Sequence, residues 1–154
     1  MKKLLSYLVL PKEISEFERQ YLAKINRIAL VFFVCHIPVF IAVALVAGTS
    51  WTQAALLTSL AAVGPAVGYK TLRNPRHLSV VSGFTAMCMG GLLVHFGQGP
   101  MQIEMHFYFF TLIALLAVFA NPIAILTAAV TVALHHLILY FALPRSVFNY
   151  DASL

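Results

Sequence analysis

Residues 28–47, IALVFFVCHIPVFIAVALVA, form a run of twenty residues that contains no charged side chain. The hydrocarbon core of a bilayer is about 30 Å thick, and an α-helix of about 20 apolar residues crosses it. This run therefore predicts a transmembrane helix. The same criterion extends the first span back to residue 25 and finds four more apolar segments along the chain. The five predicted spans are residues 25–47, 52–69, 78–96, 103–120 and 122–143.

The overall composition supports a membrane protein. Of the 154 residues, 61% are hydrophobic and 10% are charged, whereas soluble domains carry roughly 25% charged residues. This balance excludes a soluble globular domain, a disordered chain and a nucleic-acid-binding module. The two cysteines, Cys35 and Cys88, lie in separate spans and form no disulfide framework. We predict an all-α, polytopic transmembrane helical bundle.

The positions of the basic residues predict the orientation of the bundle. Six Lys or Arg residues lie at or before residue 27 and three lie between the second and third spans, whereas the loops around Gly48 and Gly97 contain none. Because cytoplasmic loops are enriched in Lys and Arg, the amino terminus is predicted to be cytoplasmic. Five spans then place the carboxyl terminus outside. The net charge of +5 is thus explained by topology and does not indicate a nucleic-acid partner.

The chain divides into three predicted regions. The first contains a capping-box pattern, Ser15 with Glu18, and apolar residues at a spacing of four, Phe17 and Tyr21. This pattern predicts an amphipathic helix that lies along the inner membrane interface before the chain turns into the first span. The regions are a cytoplasmic or interfacial lead-in (1–24), a transmembrane domain (25–143) and an external tail (144–154).

Several ionisable residues fall inside the predicted spans. Each costs at least about 2.5 kcal/mol on insertion scales, so each is a candidate functional residue. Counting about 1.5 Å per residue along each helix places all but one of them in the outer half of the bundle; His36 is deeper. Glu104 is the single carboxylate between Arg19 and Tyr150. The candidates are His36, His95, Glu104, His106, His135 and His136.

Imidazole nitrogen and carboxylate oxygen together suit zinc, iron and copper, and a bound cation offsets the cost of burying a carboxylate. We therefore predict a transition-metal site. Copper is favoured because four of the five methionines flank the same end and thioethers are soft ligands; iron and zinc are the other candidates. The predicted ligands are His95, His106, one of His135 or His136, Glu104 as a ligand or as a hydrogen-bond acceptor from a ligand histidine, and His36 as a deeper contributor.

Helix geometry limits how these ligands can face one centre. Residues two apart point about 200° away from each other, so Glu104 and His106 face one centre only if the helix is irregular there. Residues four apart share a face, which adds two phenols to the predicted surroundings of the site. The residues expected around the ligands are Tyr108, Tyr140, Met101 and Met105.

Two alternatives use the same histidines. A haem b could take two axial ligands from His36, His95, His106, His135 and His136, with Gly83, Gly90 and Gly91 making room for the macrocycle. A network without any cofactor could hold the helices together, respond to pH or serve transport. No nucleophile with a partnered base is present in the pattern, so no catalytic residue is predicted and the chain is not interpreted as an enzyme.

Residues 95–110, HFGQGPMQIEMHFYFF, followed by residues 134–137, LHHL, resemble the amino-terminal membrane sensor region of bacterial histidine kinases, chemoreceptors and nucleotide-cyclase-type signalling proteins. The resemblance implies a sensory input region in the bacterial inner membrane. It also implies a homodimer and a cytoplasmic kinase, cyclase or chemotaxis output in a longer protein. Proteins of this kind continue into a sixth helix with a further histidine, and residues 144–154 are expected to lead towards it.

Overall fold

The computed structural model describes residues 10–11 and 13–148, and these residues contain helices and no strand. The prediction of an all-α fold is confirmed for this part of the chain. The helices are α1 (Glu16–Ala47), α2 (Trp51–Thr71), α3 (Pro75–Phe96), α4 (Gln102–Met105), α5 (Phe107–Leu116) and α6 (Pro122–Ala142). Two short 3-10 turns, Ala117–Phe119 and Pro144–Ser146, follow α5 and α6.

Four helical segments are long and apolar enough to cross a bilayer. The helix α2 covers the predicted span 52–69 but is less apolar than the other four, because Gln53, Pro65 and Lys70 lower its mean hydropathy. A fifth span therefore remains a prediction. The four qualifying segments are Glu16–Ala47, Pro75–Phe96, Gln102–Phe119 and Pro122–Ala142.

The helix ends lie where the sequence has turn-forming residues. Ser15 caps α1 by accepting a hydrogen bond from the Glu18 backbone N–H at 3.1 Å, and Gly48 ends the same helix in the left-handed region with φ of 70°. Asn74 and Asn121 cap α3 and α6, and each is followed by a proline in the first turn. The positions at which these helices begin and end are therefore determined by residues at the helix ends.

The lead-in differs from its prediction. Residues 16–47 form one continuous helix, so the chain does not run along an interface and then turn into the first span. The helix contains no proline before Pro38, and the side chain of Leu22 is buried against the bundle. The hydroxyl of Tyr21 also donates a hydrogen bond to the Val118 carbonyl at 2.8 Å. Leu22 and the Tyr21 hydroxyl therefore contact the rest of the protein, whereas Phe17 on the predicted amphipathic face is 80% exposed.

The helix α3 lies at the centre of the bundle and contacts α1, α2, α5 and α6. In its most apolar stretch 61% of the residues are buried, against 28% or less in the other three candidate spans. Small residues permit this close packing. A Cβ atom on Gly83 would lie 2.4 Å from the Ala124 carbonyl oxygen, so the α3 and α6 backbones approach directly at this point.

This contact predicts the effect of adding one methyl group. Gly83→Ala is expected to lower the free energy of unfolding by about 1 to 3 kcal/mol, because backbone atoms cannot move aside as a flexible side chain can. Gly64→Ala is the matched control, since a Cβ there meets Val81 Cγ1 at an ordinary 3.7 Å. The control should leave stability unchanged or raise it by up to about 1 kcal/mol. Unfolding in mixed detergent micelles measures both, and equal curves would contradict the prediction.

Candidate histidine site at one end of the bundle

Four of the candidate histidines meet at the end of the bundle where α3 and α6 finish and α4 and α5 begin, which we call the histidine end. The ring centre of His136 lies 5.6 Å from that of His106 and 5.3 Å from that of His135. His95, at the end of α3, is near enough to His135 to interact with it electrostatically, as are the other two. The sequence analysis expected these four residues and Glu104 to converge, and the structure brings the four histidines to the same end of the bundle.

The position of His106 depends on a residue that the sequence analysis did not select. The side chain of Gln102 is fully buried, and its amide nitrogen Nε2 donates to the carbonyls of Val94 at 3.3 Å and Arg145 at 3.0 Å. Gln102 thereby fastens α4 to α3 and to the turn after α6. Gln102 and His106 are four residues apart and therefore lie on one helical face. This spacing is the sequence feature from which Gln102 could have been selected.

Local hydrogen bonds fix the tautomers of two histidines. The Nδ1–H of His106 donates to the Gln102 carbonyl at 2.9 Å, and the Nδ1–H of His136 donates to the Val132 carbonyl at 2.8 Å. A carbonyl oxygen can only accept, so in each neutral ring the lone pair is on Nε2. This arrangement is typical of metal-binding histidines, whose second nitrogen is held by a carbonyl or a carboxylate.

His135 is held mainly by packing. A Cβ atom on Gly91 would lie 2.5 Å from Nε2 of His135, so this glycine provides the space for the imidazole. The ring centre of Phe109 is 5.7 Å away on another side. The Nδ1 atom is buried and has no hydrogen-bond partner in the described part of the chain. An unpaired buried nitrogen of this kind costs about 1 to 3 kcal/mol, which a bound ligand or a water could recover.

His95 connects the cluster to the turn that follows α6. Its Nδ1 atom lies 2.8 Å from the hydroxyl oxygen of Ser146, a residue that is almost completely buried. The neighbouring Phe96 ring packs edge-on against the imidazole. The end of α3 and residues 144–146 are therefore joined through a histidine of the cluster.

His36 lies outside the cluster and has a different partner. Its Nδ1–H donates to the Phe32 carbonyl at 2.7 Å, so Nε2 accepts a hydrogen bond from the Tyr108 hydroxyl at 2.6 Å. Both ring nitrogens are thus satisfied within the protein. The pair lines a cavity of about 280 Å³ between α1 and α5. Tyr108, which the sequence analysis placed around the metal ligands, contacts His36 instead.

Glu104 does not join the histidines. Its side chain is exposed and makes no hydrogen bond or ion pair with any other residue in the described ranges. Gln102 and His106 occupy the inner face of this irregular helical segment, so the residue midway between them points about 200° away from each. The structure therefore gives no support to Glu104 as a ligand or as a hydrogen-bond acceptor from a histidine.

The remaining residues expected around the site lie at its edges or beyond it. Met101 and Met105 line a separate cavity of about 540 Å³ beside α1, and Met105 packs directly against Gly97. The Tyr140 ring packs edge-on against Phe148. No thioether is thus aimed at the histidines among these contacts.

The described residues contain no group of three or more His, Cys, Asp or Glu side chains that could hold a metal ion as they stand. The rings do meet in pairs. Two imidazoles that bind one ion at about 2.1 Å have ring centres about 5 Å apart, and the observed separations of 5.3 and 5.6 Å are close to that value. The rings therefore contact one another in pairs, and a set of three ligands requires rotation of at least one side chain.

The space beside the α3 glycines is filled by protein. The Cβ positions of Gly90 and Gly91 are blocked by Phe109 and His135, and that of Gly83 is blocked by the α6 backbone. The sequence analysis suggested that these glycines make room for a haem. In the structure they instead admit the aromatic rings and the helix that build the histidine end.

Comparison with known proteins found no matching family, no similar curated protein and no similar solved structure.

The His36 pair allows a direct test of the site geometry. Tyr108→Phe removes the donor to Nε2 of His36 and should lower the free energy of unfolding by about 1 to 3 kcal/mol, because a buried acceptor is left unpaired. Tyr140→Phe is the control, since the Tyr140 hydroxyl makes no hydrogen bond with the described residues. Its effect should stay within about 0.5 kcal/mol. Equal effects in detergent unfolding experiments would contradict the assigned hydrogen bond.

Proposed function

We propose that this chain is a membrane-embedded sensory input region that binds a transition metal ion at the histidine end. The candidate ligands are His95, His106, His135 and His136. The sensory role rests on the resemblance of residues 95–110 and 134–137 to bacterial sensor regions. In this proposal the bundle has five spans in the bacterial inner membrane, the amino terminus is cytoplasmic and the histidine end faces outwards, as the distribution of Lys and Arg favours.

One observation carries the metal proposal: the His106 ring contacts the His136 ring of α6, and local hydrogen bonds hold both rings so that Nε2 is the free nitrogen. Four half-buried imidazoles at one end of a membrane bundle are costly unless they serve a function. The unpaired Nδ1 of His135 adds a buried acceptor or ligand atom to the same cluster.

Copper remains the favoured ion, followed by iron and zinc. Because Met101 and Met105 line a separate cavity, the preference no longer depends on thioether ligands. It depends on the general order of affinity of nitrogen sites for divalent first-row metals, in which copper binds most tightly.

The proposed signal is a change in packing between α5 and α6. A third imidazole must rotate to complete a ligand set, so the occupied and empty states differ in contacts around His106 and Phe109, and such a difference is what shifts a two-state equilibrium. The far end of this segment reaches Val118, whose carbonyl is hydrogen-bonded to Tyr21 of α1. Movement of α5 can therefore reach the cytoplasmic beginning of α1. An output domain and a homodimer belong to this proposal as the resemblance implies them.

A polar network that works without a cofactor is the second candidate. The observation in its favour is that His95, His106 and His136 each already have a hydrogen-bond partner. Such a network would hold the helix ends together and respond to pH through the four imidazoles. The two candidates differ in whether the purified protein contains metal.

The metal proposal predicts stoichiometric copper, iron or zinc in untagged protein purified without added chelators. The metal content should disappear in the double variant His106→Ala, His135→Ala, because two of the clustered imidazoles are lost. His77→Ala is the control, since this histidine is exposed at the opposite end of the bundle. Elemental analysis and an absorption spectrum of the same sample provide the readout.

The outcomes of that experiment separate the candidates. Metal that is lost in the double variant and retained in His77→Ala supports the proposed site. Protein that contains no metal and shows no Soret band would overturn it in favour of the polar network. A Soret band would instead identify the haem b alternative and would require the rings now beside Gly90 and Gly91 to move.

A further inference from the structure

A second cavity, of about 310 Å³, lies at the opposite end of the bundle, where α1 begins, α2 ends and α3 begins. We call this the basic end. We propose that this cavity binds the phosphate headgroup of an anionic phospholipid that also carries a hydroxyl group, as a glycerol headgroup does. The polar residues that line the cavity are Arg19, Asn26, Tyr69 and Arg73.

Two cations in this cavity lack a counterion. Arg19 and Arg73 are exposed, and neither has an ion pair with a residue that the structure describes. Two carboxylates at this end have partners elsewhere: Glu18 is paired with Arg76, and Glu16 accepts a hydrogen bond from Gln20 at 2.9 Å. The cavity therefore presents two guanidinium groups whose planar donors match the oxygens of a phosphate.

Arg76 shows what a compensated arginine looks like in the same region. Its side chain is largely buried, and its Nε and Nη2 atoms donate to the two carboxylate oxygens of Glu18 at 2.5 and 2.6 Å. It also donates to the carbonyls of Pro11 and Glu13. Both oxygens of the Glu18 carboxylate accept hydrogen bonds from Arg76. Arg19 and Arg73 can therefore bind an external anion.

The buried side chain of Asn26 is a second, independent feature that indicates a ligand in this cavity. Its side chain is 3% exposed, and its Nδ2 atom donates to the Pro75 carbonyl at 3.1 Å. The Oδ1 atom is buried and has no hydrogen-bond partner in the described residues. An unpaired amide oxygen in a cavity requires a donor, which a simple phosphate diester cannot provide. A hydroxyl on the headgroup supplies that donor when the Asn26 side chain turns its Oδ1 atom towards the cavity, while the phosphate contacts the arginines.

The surroundings of the cavity suit a lipid better than a free ion. The apolar run of residues 28–47 starts just beyond Asn26, and Ile28 and Val31 on it are exposed. Tyr69 at the cavity is an aromatic residue of the kind enriched at membrane interfaces. Acyl chains can therefore follow the α1 surface while the headgroup enters the cavity, and basic pockets between membrane helices recognise anionic headgroups in this way.

The test measures binding of phosphatidylglycerol to the full chain in neutral detergent micelles, by native mass spectrometry. The double variant Arg19→Gln, Arg73→Gln is expected to lower the affinity at least about tenfold. Arg27→Gln, Lys70→Gln is the control, because it removes the same charge at the same end from residues that do not line the cavity. It should change the affinity less than about threefold. Equal losses in the two double variants would overturn a specific site.

Three further ligands sharpen the test. Phosphatidylcholine should bind at least about tenfold more weakly than phosphatidylglycerol, because its headgroup has no net negative charge. Phosphatidylmethanol has the phosphate diester without the glycerol hydroxyls, and equal binding of it would overturn the role assigned to Asn26. Inorganic phosphate that competes fully with the lipid at equal concentration would identify a site for the free anion and overturn the lipid assignment.

This site shares no residue with the histidine end. The arginine variants should retain metal, and the His106→Ala, His135→Ala variant should still bind phosphatidylglycerol in preference to phosphatidylcholine. Failure of one proposal therefore leaves the other standing.

Discussion

The close approach of α3 and α6 determines the architecture on which both ends depend. Gly83 allows the α6 backbone at Ala124 to lie against α3, and Gly91, about two turns further along, admits the imidazole of His135. Because the distance between these helices is fixed at both points, His95 at the end of α3 lies beside the histidines of α6. Larger residues at these two glycines would separate the helices and disperse the cluster.

Amide side chains then fasten α3 at its two ends. At the basic end, Asn121 donates to the Arg76 carbonyl at 3.1 Å and to the Ser79 hydroxyl at 2.7 Å. At the histidine end, Gln102 donates to carbonyls of α3 and of the turn after α6. Unpaired polar groups are costly in an apolar environment. These bonds therefore fix how the helices are positioned along one another. The histidine cluster lies next to the Gln102 bonds, and the basic cavity lies at the end that contains the Asn121 bonds.

The sequence predicted the helices well and the site only in part. Helix ends followed from Ser15, Asn74 and Asn121, whose side chains cap the backbone locally, and four of the five segments predicted as spans are long and apolar enough to cross a bilayer. The convergence of four histidines followed from their depth along each helix. Glu104 was predicted to face the histidines, but the inner face of that segment is occupied by Gln102, a neutral residue that the sequence analysis did not select.

The sequence by itself determined that this is an all-α chain with apolar segments of membrane-spanning length, which end is basic and which end collects imidazoles, because these properties depend on composition and on rise per residue. The tertiary structure alone decided which imidazoles touch. In the structure His36 bonds to Tyr108 away from the cluster, and Glu18 forms an ion pair with Arg76. Side-chain partners depend on how helices rotate and pack against each other, and that rotation is set by contacts between distant residues such as Gly83 and Ala124.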